Sequence, residues 1–201
     1  MSDTTNKSIR TAQAKRFWDM GVGRKLGKTS FAAYLTDIPK VPADPLTDDT
    51  AYPYFILAEP RLGLKRLCEL GGVVFDGNDE TFIAYDKAHR EFTQPTWIRI
   101  QDGRKNRNRT VRDCRKSFGK DERGLTALQG VCAYLQHPTV LSESTQADAH
   151  VMDLSGSVRR AGRADAASLE LWDGQPELLC HWDGIALPLC GAASRRDCKA
   201  L

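Results

Sequence analysis

Residues 95–138 read PTWIRIQDGRKNRNRTVRDCRKSFGKDERGLTALQGVCAYLQHP, and this stretch holds a strand and two helices in succession. Trp97, Ile98 and Ile100 make an apolar strand that Asp102-Gly103 turns. After a basic loop, Thr110 and Asp113 form a near capping box for a helix whose Val111, Cys114 and Phe118 share one face. Arg115 and Lys116 fall at the negative end of its dipole, where cations are favoured. Thr126-Ala127-Leu128-Gln129 is a full capping box. Leu128, Val131, Cys132 and Leu135 then recur at helical spacing until His137-Pro138 stops the helix. Its apolar face predicts a core helix.

Downstream, past a polar loop at 142–149, the chain turns β-rich. Val151–Leu154 runs into Ser155-Gly156-Ser157. Ser168–Trp172 and Glu177–Trp182 alternate about Asp173-Gly174-Gln175-Pro176, which reads as a hairpin. Asp183-Gly184 turns the chain into Ile185–Cys190, so a C-terminal β-meander is expected. Upstream, Tyr54–Ala58 suits a buried strand, and Pro60 opens a helix that Gly71-Gly72 closes. Val73–Phe75 and Thr81–Tyr85 read as strands, and 86–94 as polar loop. A helix from Ser8 to Gly21 and a shorter one, capped by Thr29 or Ser30 and ended by Pro39, make an N-terminal pair. The expected fold class is α+β. An N-terminal helical segment spans 1–40 and a linker 41–53. Residues 54–201 form a mixed or antiparallel sheet packed with two central helices.

With 201 residues, 41% apolar and 27% charged, the chain has the composition of an ordinary globular protein able to bury a core without staples. No apolar run approaches the roughly 20 residues that span a bilayer, and MSDTTNKSIR lacks a secretory h-region, so no membrane association and a cytoplasmic location are expected. In that compartment the scattered cysteines 68, 114, 132, 180, 190 and 198 are thiols rather than a disulfide framework. The sequons at Asn6 and Asn108 are then chance matches.

Gly21–Ser30 resembles a phosphate loop and fails as one. Val22 stands where the pattern needs glycine, and a helix rather than a buried strand precedes it. As the turn of a DNA-reading helix-turn-helix it is too long. Cys180, His181, Cys190 and Cys198 have the chemistry of zinc ligands but not the spacing of paired ligands, and adjacent Cys180 and His181 point to opposite faces of a strand. No metal ligands and no cofactor are assigned. Among nucleophiles, Cys114 lies between Arg112 and Arg115 but on an apolar face, and Ser117 has a lysine three residues on, at Lys120. Ser155, Ser157 and Ser194 sit beside small residues. None has a base legible beside it, so catalytic residues stay unassigned.

Charge is the strongest functional asymmetry. Between Arg99 and Arg123 ten Lys or Arg face four Asp or Glu, a surplus of +6 in a chain of net +3. Arg104, Lys105, Arg107, Arg109 and Arg112 are the candidate anion-binding residues, with Asn106 and Asn108 as further donors to phosphate oxygens. Arg159, Arg160, Arg163, Arg195 and Arg196 would enlarge the patch if the fold brings them to the same side. Phe118 points inward, so backbone contact is expected rather than base stacking. The reading is a non-enzymatic accessory or binding protein that contacts nucleic-acid phosphates or an acidic protein. The alternatives are a small enzyme with a Cys or Ser nucleophile and a structural interaction protein with no anionic ligand. Oligomeric state is not legible.

Several blocks occur in the order found in a family of uncharacterised bacterial proteins, one of the catalogued domains of unknown function. They are Pro95–Asp102, Arg107-Asn108, Arg123-Gly124-Leu125-Thr126 with its helix to His137-Pro138, Leu154-Ser155-Gly156-Ser157, Pro176-Glu177-Leu178 with Trp182, and Gly191-Ala192-Ala193-Ser194. The chain resembles that family mainly over 95–194 and departs from its pattern at Val158–Arg163 and at Cys180-His181-Trp182. The resemblance implies one folding unit over 54–194 and assigns no activity or catalytic residue.

Overall fold

The computed structural model describes residues 3–42, 50–143 and 148–198. In order the elements are helices α1 (Asp3–Asp19), α2 (Val22–Lys25) and α3 (Phe31–Asp37), strand β1 (Tyr54–Ala58), α4 (Leu64–Gly71), β2 (Phe82–Ala84) and β3 (Thr96–Gln101). They continue with α5 (Val111–Ser117), β4 (Arg123–Gly124), α6 (Ala127–Gln136), β5 (Val151–Arg159), β6 (Gly162–Trp172), β7 (Gln175–Trp182), β8 (Cys190–Ala192) and β9 (Ser194–Asp197). The fold is α+β. One antiparallel sheet has the order β1-β3-β9-β4; the other has β2-β5-β6-β7, with β8 added parallel to the start of β5. Among the described residues no helix is long and apolar enough to cross a membrane. The centre of the expected linker, 43–49, lies outside the described residues.

Helix α6 sits at the centre because it is apolar nearly all round. It packs on β1 of the first sheet and on β5 and β6 of the second. Leu128, Val131, Cys132 and Ala133 are buried, and Gly130 leaves room for the Leu154 side chain. The capping box forms as its sequence requires: the Thr126 hydroxyl accepts from Gln129 N–H, and the Gln129 side chain returns to Thr126 N–H.

The outer edge of β1 is closed by side chains rather than by a strand. Gln13 Nε2 donates to the Phe55 carbonyl at 2.6 Å, and Gln136 Nε2 donates to the Leu57 carbonyl at 2.9 Å. Both glutamine oxygens accept from Leu57 N–H at 2.9 Å. An unpaired edge invites another chain, and these amides remove that opening while tying α1 to the sheet. A second tie is ionic. Glu59, fully buried, accepts from Tyr34 Oη at 2.7 Å and from both Arg61 Nε (2.8 Å) and Nη2 (2.6 Å), and Arg61 also pairs with Asp37 of α3 at 2.8 Å.

Three local expectations differ from the structure. Pro60 opens a turn, closed by Gly63 N–H on the Pro60 carbonyl, and the helix starts only at Leu64. Of Val73–Phe75 only Val74 pairs, bridging in parallel to β7, while Phe75 turns away to stack on Phe82 at 5.9 Å. Val74 takes the β7 edge at Pro176 and Leu178, and the chain does not extend the meander after Asp183-Gly184. It crosses back instead: 185–189 form no strand, Cys190–Ala192 pairs beside β5, and Ser194–Asp197 joins the first sheet.

Candidate functional site

Strand β5 is interrupted at Ser155-Gly156-Ser157, where its register against β6 shifts. The bulge docks on the entry to α6. Gly156 N–H donates to the Leu125 carbonyl at 2.8 Å and Ala127 N–H donates to Ser157 Oγ at 2.9 Å. The two backbones pass so close that a Cβ on Gly124 would stand 2.8 Å from Gly156 N, and one on Gly156 would stand 2.5 Å from the Gly124 carbonyl oxygen. Only glycine fits both places.

Beside this junction opens a cavity of about 240 Å³ whose polar wall includes His89, Glu91, Thr126 and Ser157, with Leu64, Phe82 and Leu128 on its apolar side. Asp86 positions the histidine. Its carboxylate caps the short 3₁₀ turn Lys87–His89 by accepting from Ala88 N–H, and the same oxygen lies 2.7 Å from His89 Nδ1. Burial would raise the Asp86 carboxyl, but the hydrogen bond and charge of His89, with two backbone amides, hold it below the usual carboxylate range. The ring proton therefore sits on Nδ1, and Nε2 carries the lone pair. His89 is 7% exposed, and its Nε2 is buried without a partner among the described residues. Burial keeps this imidazole below its ordinary pKa despite Asp86, and the cationic Arg195 and Arg115 push the same way.

Glu91 is the complementary group. Its carboxyl contacts the Thr126 hydroxyl through both oxygens and accepts from Gln129 Nε2 at 3.0 Å. Burial nevertheless raises it from 4.5 to about 7, and Thr126, Arg195 and Gln129 offset only part of that. Behind it Arg195, 2% exposed, lies over the Phe92 ring at 4.8 Å and meets Asp197. Burial lowers this guanidinium to about 10. One cavity thus presents a neutral base and a carboxyl that is about half protonated near neutral pH, the pairing general acid–base chemistry uses.

The cations of the basic loop are turned to structural use. Arg104 meets Asp102 and donates to Ser142 Oγ at 2.7 Å. Arg107 donates to the carbonyls of Asp148 (2.9 Å) and Ala149 (2.6 Å) and to His150 Nδ1 (3.3 Å). Arg109 donates to Asn106 Oδ1 at 3.1 Å and Ser117 Oγ at 2.9 Å, and Arg112 pairs with Asp183 at 2.8 Å. Lys105 differs: it is exposed, 3.5 Å from Glu122, and lies over the Tyr52 ring at 5.0 Å. Arg196 covers the same ring at 4.7 Å, and Arg99, paired with Arg196 across β3 and β9, donates to the Tyr52 carbonyl at 3.3 Å. The cations that gather on one face are thus Arg99, Lys105 and Arg196. Arg160 and Arg163 go elsewhere, to the carbonyls of Glu80 and Tyr85.

Of the sequence-level nucleophiles, Cys114 is on the buried face of α5 with its thiol pushed up by burial, and Ser117 Oγ donates to the Cys114 carbonyl. Ser194 Oγ contacts Glu122. Ser157 alone of the four candidate serines lines the cavity. Sequence reasoning missed His89 and Glu91 because 86–94 carries no periodicity. The signal present was an Asp-x-x-His pair, the spacing at which an Asx cap meets an imidazole. Comparison with protein-family models, with curated proteins and with solved structures finds no match to this chain.

Proposed function

We propose that the cavity beside the α6 N-terminus binds a small polar molecule and moves protons to and from it, with His89 as base and Glu91 as acid. The observation that carries this reading is the His89 Nε2 lone pair, buried and unpartnered among the described residues, in a side chain that lines the same cavity as a carboxyl of pKa about 7. Cavities with convergent polar groups and displaced pKa values are where ligands are processed. The lone pair suits a ligand hydroxyl or an acidic C–H, and the protonated Glu91 suits a carbonyl oxygen. Ser157 is a third polar contact. The test is a panel of small hydroxy- and carbonyl compounds, read by ligand-observed NMR for binding and by deuterium exchange at the carbon next to the carbonyl. Binding and exchange should both vanish in His89→Ala, and exchange alone should fall in Glu91→Gln. A panel with no binder, or binders indifferent to His89→Ala, would defeat the reading.

The convergence of Arg99, Lys105 and Arg196 around Tyr52 favours a second reading, a face for nucleic-acid phosphates or an acidic protein. Retention on heparin that weakens steeply with salt supports it. Lys105→Gln with Arg196→Gln is the informative pair, since replacing Arg104 or Arg107 would unfasten the loop from residues 142 and 148–150. Salt-independent or unchanged retention in the double variant would exclude that face.

A further inference from the structure

On the face of the second sheet turned away from α6, three side chains of different strands meet: Asp153 of β5, His181 of β7 and Cys190 of β8. The register requires it. Asp153 pairs with Ser168, Ser168 with Leu179, and Ala166 with His181, so Asp153 and His181 share a face. The intervening β6 presents only Ala166 and Ser168 there, small enough for the imidazole to lie across. Strand β8 runs parallel to β5 with Ala192 beside Asp153, which puts Cys190 on that face too. Cys180 points the other way and packs on the core, so the cysteine adjacent to His181 in sequence is not its neighbour in space.

We propose that Asp153, His181 and Cys190 form a binding site for one divalent transition-metal ion of the zinc class, with a fourth position open to solvent. One donor atom from each residue lies within 4.8 Å of the other two. A tetrahedral zinc ion with bonds of about 2.0–2.3 Å holds its donors roughly 3.3–3.7 Å apart, within reach of rotamer adjustments here. His181 Nδ1 lies 3.2 Å from the Trp182 carbonyl, which places its proton there and directs Nε2 inward. Backbone carbonyls orient zinc-binding histidines in this way. Nε2 meets Asp153 Oδ1 at 2.6 Å, so a proton now occupies the position between the donors that a cation would take. Asp153 is 1% exposed, and its buried charge is now met by the imidazolium, whose place a metal cation would take. The His181 side chain keeps 20% of its surface exposed, the route by which an ion and a fourth ligand would enter. A thiolate, an imidazole and one carboxylate select zinc, cobalt or iron(II) over magnesium or calcium.

None of these residues lines the His89 cavity, so this inference stands or falls apart from the proposed function. The probe is cobalt(II), added to chelator-free reduced protein under argon. One equivalent should bind with a thiolate-to-cobalt charge-transfer band and the intense visible bands of a tetrahedral ion. Cys190→Ser should lose the charge-transfer band, and Asp153→Asn should weaken binding about tenfold or more. Cys198→Ser should change neither. If the wild-type protein gives no saturable spectrum, or if the charge-transfer band survives in Cys190→Ser, the site does not exist. The wild-type titration decides even if a variant fails to fold.

Discussion

His89 Nδ1 stands 2.7 Å from Asp86 Oδ1, and the opposite nitrogen of this cavity-lining ring has no partner among the described residues. The carboxylate fixes the tautomer and stabilises the imidazolium, while burial and two guanidiniums oppose it. Removing the carboxylate leaves only the opposing influences. Asp86→Asn should therefore move the His89 titration further down, followed by proton NMR of the ring. A midpoint that rises or stays put would mean that the contact does not govern the ring.

Glu91 makes stability depend on pH in a defined window. Its folded pKa, about 7, lies above the ordinary 4.5, so between those values the native state holds the extra proton. Stability from this group is full below pH 4.5 and declines as pH rises through 7, by up to about 3 kcal/mol. Glu91→Gln keeps the amide contacts to Thr126 and Gln129 without a charge to desolvate. It should flatten that part of the stability–pH curve in urea melts, and an unaltered slope would place the titration elsewhere.

Local signals were legible and long-range ones were not. The α6 capping box and the opposite facing of Cys180 and His181 follow from spacing alone, and both are as the sequence implies. The partners of Arg104 and Arg107 include backbone carbonyls of 139, 148 and 149, groups every residue possesses, so no sequence pattern announces them. The cavity exists only once the 155–157 bulge meets 124–127, and residues 86–94 acquire their role from that meeting. Likewise β8 pairs with β5 rather than β7, a long-range pairing that no local pattern announces.

The bulge junction tolerates no side chain. An alanine Cβ at Gly124 would stand 2.1 Å from Ser155 Oγ and 2.8 Å from Gly156 N, and a backbone atom cannot swing aside. Gly124→Ala should cost about 2–3 kcal/mol as overpacking and displace Ser157 from the cavity. Gly119→Ala, where nothing lies within 4 Å, is the matched control and should be nearly neutral. Equal urea midpoints for the two variants would refute the close approach.

The Glu59 cluster sets the attachment of the N-terminal helices. Glu59 is fully buried, and its charge is held by Arg61 through two nitrogens and by Tyr34 Oη. Arg61→Met strands a buried carboxylate and should cost about 3–5 kcal/mol. Tyr34→Phe removes one donor of several and should cost about 1–2 kcal/mol. Combining Arg61→Met with Glu59→Gln removes the stranded charge, so the double variant should be more stable than Arg61→Met alone. The comparison is made on urea midpoints at constant slope. If the second substitution instead adds its own full cost to the first, the two residues act independently, and the ion pair does not hold α3 to the strand that follows.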